Sequence, residues 1–76
     1  MRHLLLTLAR DLVREPGRVR VRERERDGMN VLELEVAPED RGSVIGRGGR
    51  TAAALRTLLD GAARRQGGRC RLEIPD

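Results

Sequence analysis

Seventy-six residues make one domain, 1–76, with a thin core, because a chain this short buries only about 60% of its unfolded surface. It has no aromatic residue, so Leu, Val, Ile and Ala must fill the interior, and stacking of bases on aromatic rings is excluded. The formal net charge is +4, lysine is absent, and one cysteine with one distant histidine excludes an internal disulfide and a closed zinc site.

Residues 3–14 show helical periodicity. Leu5, Leu8, Ala9 and Leu12 form an apolar stripe that Leu4, Leu6 and Val13 widen, and Pro16-Gly17 stops it. The charged Arg10, Asp11 and Arg14 and the lack of a small-residue cleavage site argue against a secretory signal. No stretch is apolar enough to span a bilayer, so a cytoplasmic protein without membrane partners is expected. His3, at the frayed start, has no acid, cysteine or serine paired with it in a pattern that suggests catalysis.

Residues 18–26 and 29–37 form a predicted hairpin about the turn signal Asp27-Gly28. A two-residue turn sets Val19 against Val36, Val21 against Leu34 and Glu23 against Leu32. On the other face it sets Arg20 against Glu35 and Arg22 against Glu33. Apolar meets apolar and plus meets minus, which supports the register, since opposed pairs are the unit of sheet stability. Arg18, Arg24 and Arg26 are left without an obvious partner.

Pro38-Glu39-Asp40 opens a short helix over 39–45 that ends on Val44 and Ile45. Gly46-Arg47-Gly48-Gly49 makes a turn, and a helix over 50–66 follows. Its buried stripe is predicted as Leu55, Leu58, Leu59 and Ala62, with Ala52 and Ala53 allowing close approach. Gly61 weakens that helix by about 1 kcal/mol relative to alanine, for which close packing against another element offers a reason. Gly67-Gly68 ends it. Residues 69–74 alternate, with Cys70, Leu72 and Ile74 on the core side. The order α-β-β-α-α-β predicts an α+β domain: a three-stranded mixed sheet, the last strand parallel to the second, with helices on one face and the charged face in water.

The turn is the candidate functional element. Glycines leave backbone N–H groups uncovered, arginine supplies a fixed charge and forked donors, and a helix N-terminus favours an anion. A P-loop needs a Gly-Lys-Ser/Thr ending, and a dinucleotide fingerprint needs a third spaced glycine in a βαβ unit; neither is present. No nucleophile–base pair, carboxylate pair or metal set is apparent, so an enzyme is not expected, and no cofactor or metal is implied.

Pro38-Glu39-Asp40, Gly42, Val44-Ile45-Gly46-Arg47-Gly48-Gly49 and the helix from Arg50 onward resemble the KH domain. The element order makes the resemblance specific to the small bacterial proteins that consist of one type II KH domain. The resemblance implies a groove for about four unpaired nucleotides of single-stranded RNA. Gly46, Arg47, Gly48 and Gly49 would grip the sugar–phosphate backbone, Arg50 and Thr51 would reach the same phosphates, and Ile45, Val44 and Leu32 would support the bases. Main-chain groups and side chains of the second strand would read base edges. Gly48 stands where the family commonly has a polar or charged side chain, which leaves Arg47 as the one side-chain contact within the tetrapeptide. Weak single-domain affinity and reliance on avidity follow, through a homodimer or a heterodimer with a larger KH-containing protein. The expected role is a post-transcriptional regulator or RNA chaperone. The alternative is a protein-interaction adaptor, or a subunit of a larger RNA-binding complex, with little RNA affinity of its own. Single-stranded DNA is a further ligand to be tested.

Overall fold

The computed structural model describes residues 1–76. Helix α1 spans Arg2–Leu12 and is followed by a 3-10 turn at Pro16–Arg18. Strands β1, Arg20–Arg26, and β2, Met29–Glu35, form the hairpin. A 3-10 turn at Pro38–Asp40 leads into the short α2, Arg41–Ile45. A second 3-10 turn at Arg47–Gly49 leads into α3, Arg50–Arg65, and β3, Arg69–Glu73, ends the fold. The sheet order is β1-β2-β3, with β1 antiparallel and β3 parallel to the central β2. This is the α+β arrangement expected, a three-stranded mixed sheet with its helices on one face. No helix is long and apolar enough to cross a membrane.

The hairpin has the register that the opposed pairs require: Arg20 lies against Glu35, Val21 against Leu34, Arg22 against Glu33 and Glu23 against Leu32. Asp27 and Gly28 both take positive φ, as a tight two-residue turn demands. Charge pairing departs from the register by a diagonal step. Arg20 donates to the carbonyls of Gly17 and Val19 rather than to Glu35. Glu33 pairs with Arg24, 3.4 Å away, rather than with Arg22. Arg24, expected to be unpartnered, also lies 3.4 Å from Glu73. Diagonal reach is natural for long side chains on a twisted sheet.

The core joins Leu5, Leu6 and Ala9 of α1, Val19, Val21, Leu32 and Leu34 of the hairpin region, Val44 of α2, Leu55 and Leu59 of α3, and Leu72 of β3. Leu12 and Leu4 are exposed at the edge of the predicted α1 stripe. The α3 stripe is Ala52, Leu55, Leu59 and Ala63, while Leu58 is 55% exposed, Ala62 only half-buried and Ala53 exposed. Cys70 is half-buried rather than fully enclosed. Gly61 packs against nothing: a Cβ there would meet open space, so close approach does not explain it.

Asp40 is the one buried charged residue, 1% exposed. It does not cap α2. Its two carboxylate oxygens accept the backbone N–H groups of Arg14 and Glu15, each at 3.1 Å, and so tie the α1–β1 connection to the turn that leads to α2.

Candidate nucleic-acid interface

Three glycines shape the turn between α2 and α3. Gly46 (φ 79°, ψ 168°) ends α2, and Gly48 (φ 62°, ψ 17°) and Gly49 (φ 79°, ψ 13°) are both left-handed. Such backbone angles are costly for residues bearing a Cβ. Gly46 is constrained twice over, since a Cβ there would lie 2.3 Å from Thr51 Oγ1 and 2.7 Å from the Thr51 backbone nitrogen. At Gly48 and Gly49 a Cβ would meet nothing, so only the backbone angle demands glycine.

Gly46 donates its N–H to the Gly42 carbonyl at 2.8 Å, and Gly49 donates to the Gly46 carbonyl at 3.0 Å. The N–H groups of Arg47 and Gly48 have no acceptor within the protein. Arg47 and Gly48 are exposed, and the Arg47 side chain makes no ion pair. The first turn of α3 carries no acidic residue, so the positive end of its dipole is not quenched. Arg50 is exposed there, and Thr51 is half-buried against Gly46. The turn therefore offers two free amides, one unpaired guanidinium and a bare helix N-terminus on one side of the molecule.

The residues expected beneath bases divide. Ile45 is half-buried and adjoins the turn. Val44 and Leu32 are both 0% exposed and belong to the core, so they hold the site from below and cannot touch a ligand. The main chain of β2 cannot read base edges either, because it is paired on both sides, with β1 and with β3. The free edge beside α3 belongs to β3. Cys70 turns its N–H away from β2, to Asp60 on α3 at 3.0 Å, and by strand alternation the main-chain groups of Leu72 face the same way. A groove between α3 and β3 runs along this edge. Its lining includes Arg56, Thr57 and Gly61 of α3 and Leu72, Ile74 and Pro75 on the strand side.

Asp60 closes the far end of that groove. Its carboxylate accepts the Cys70 N–H, Arg69 Nε at 3.2 Å and Arg64 Nε at 3.0 Å. The Cys70 N–H bond, with the two arginines adding to it, holds this carboxyl below the usual aspartate range despite some desolvation. Burial pushes the Cys70 thiol up, and the Asp60 charge adds to that shift. The sequence does carry one sign of this cluster, since Asp60 and Arg64 stand at i,i+4 on a helix. Nothing local shows that Asp40 points back to residues 14 and 15, or that β3 rather than β2 supplies the free edge.

Comparison with known proteins bears on this geometry. The family model described as KhpA/KhpB, KH domain, matches residues 2–74. The RNA-binding protein KhpA of Treponema pallidum (strain Nichols) is 48% identical over 73 residues, covering 96% of this chain and 91% of its own. That of Clostridium acetobutylicum is 46% identical over 74 residues, covering 97% and 99%. That of Halalkalibacterium halodurans is 47% identical over the full length of both chains. No solved structure matches the chain.

Proposed function

The chain belongs to the KhpA/KhpB family of KH-domain proteins, and from that premise we propose that it grips single-stranded RNA by the phosphate backbone at Gly46–Gly49 and lays the bases along the α3–β3 groove. The observation that carries this is the turn itself: the Arg47 and Gly48 amides have no partner and project beside an unquenched helix N-terminus. Phosphates would take these amides, with Arg47, Arg50 and Thr51 adding side-chain contacts. Bases would rest against Ile45 and the aliphatic side chains of the groove, and the outward main-chain groups of Leu72 would meet base edges. Phosphate contacts position a strand without specifying its sequence, so selectivity is modest and the grip suits a post-transcriptional regulator or RNA chaperone in the cytoplasm. The role is binding and not catalysis.

Affinity from one turn with a single arginine is low, and pairing raises it through effective concentration. Leu58, 55% exposed on α3, is the most exposed large aliphatic side chain and a natural contact for a second copy or a larger KH-containing chain. The decisive experiment is the paired change Gly48→Asp/Gly49→Asp, which sets two carboxylates against the phosphates. Fluorescence anisotropy with a labelled tetranucleotide should show binding abolished while circular dichroism shows the fold retained. Retained binding would remove the turn from the interface. Matched RNA and DNA strands measured in parallel test the choice of sugar. RNA affinity absent from the isolated chain, and gained only on adding a KH-containing partner, would favour the adaptor role.

A further inference from the structure

The turn and groove leave one strongly charged surface unused. β1 alternates as Arg20-Val21-Arg22-Glu23-Arg24-Glu25-Arg26, so all four of its arginines share the sheet face turned away from the helices, while Val21, Glu23 and Glu25 take the other. β3 adds Arg69 and Arg71 to the same outer face. Against these cations the face carries only Glu33, Glu35 and Glu73. Arg24 lies 3.4 Å from both Glu33 and Glu73, Arg71 lies 3.6 Å from Glu73, and Arg69 reaches round the sheet edge to Asp60. Arg22 and Arg26, on either side of Arg24 along the strand, are exposed and make no ion pair.

This face also has an apolar floor. Val31 is 5% exposed although it lies outside the helix-packed core; it stands between Arg24 and Arg71 in the sheet, where long arginine stems can shade it. Next to it the half-buried Met29 supplies the accessible apolar surface, in a cavity of about 220 Å³ that it lines with Arg26, Asp27, Val31, Arg71 and Glu73. A guanidinium beside an aliphatic floor suits a planar base, and Arg22 and Arg26, four residues apart on one strand face, lie about 13 Å apart, a span that fits alternate phosphates of an extended strand. An acidic peptide would satisfy the cations but gives no use for the floor.

We propose that the outer face of the sheet is a second contact surface for single-stranded RNA, with Arg22 and Arg26 on phosphates and a base against Met29, between Arg26 and Arg71. It rests on the turn being an RNA grip, which brings further nucleotides of the same strand to the molecule at high effective concentration.

Amide spectra of the intact protein, recorded with a tetranucleotide and with a long oligonucleotide, test this. The tetranucleotide should move signals of the turn and groove alone; the long strand should also move those of 22–26 and 30–31, which lie outside the groove. Arg22→Gln/Arg26→Gln, which alters only exposed unpaired side chains, should bind the tetranucleotide as the parent does. It should bind the long strand more weakly, with a slope of log affinity against log salt shallower by about 1.4, two single-strand contacts. A long strand that moves no outer-face signal, or a double variant with the parent's affinity and slope, overturns the proposal. So does an outer face that responds to polyglutamate and not to RNA. Failure of the turn as the grip shows separately, as tetranucleotide binding that survives Gly48→Asp/Gly49→Asp.

Discussion

The glycine turn at 46–49 and the arginine face of the sheet both present positive charge, but one owes it to backbone geometry and the other to side-chain alternation. The turn displays amides because three residues lack a Cβ where φ is positive. The sheet displays guanidinium groups because every second residue of β1 is arginine. The first is broken by adding an atom, and the second only by removing several charges. A backbone device is thus intolerant and compact, whereas a side-chain device degrades by increments.

The largest effect that would break this contrast is expected at Gly46. Gly46→Ala forces a Cβ into Thr51 at a positive φ and should cost at least about 2 kcal/mol, read as a lowered midpoint in urea. Gly48→Ala meets open space and pays only the left-handed penalty, about 1–2 kcal/mol; equal losses at the two positions would refute the distinction between them. Asp40→Ala leaves the Arg14 and Glu15 amides without their acceptor and should cost about 1–3 kcal/mol in the same assay. Arg47→Ala should leave stability alone and weaken all single strands alike, with a salt slope shallower by about 0.7. The smallest effect concerns acid. Asp60 is held below its ordinary range by the Cys70 N–H and its two arginines, so it binds fewer protons folded than unfolded at mildly acidic pH. Its contribution is complete above about pH 4, the ordinary aspartate range, and is lost as pH falls through the lower folded value. Asp60→Asn should flatten that acid limb slightly in a series of melts.

Much of the fold is legible in the residues because its signals are local or pairwise. Asp27-Gly28 and the opposed Val21–Leu34 and Arg22–Glu33 positions define the hairpin without reference to the rest of the chain. The glycine turn is likewise written in four consecutive residues. What is not legible depends on how elements meet. Leu58 and Leu59 both fit a helical stripe, and only the direction from which β3 and α1 approach α3 decides that Leu59 is buried. A β3 parallel to β2 is foreseeable, but its corollary, that β2 has no free edge, appears only when both of its neighbours are counted together. In the proposed interface, that corollary moves main-chain contacts with bases to β3. Arg24 shows the same limit for charge, since its partners lie on two other strands.

The Asp40 carboxylate makes two distant stretches share one fate. It is hidden from water and spends both oxygens on amides 26 and 25 positions earlier, so the segment after α1 cannot fray while the approach to α2 stays closed. Hydrogen exchange at Arg14 and Glu15 therefore becomes a remote gauge of the ground under the glycine turn, readable with no ligand in the tube.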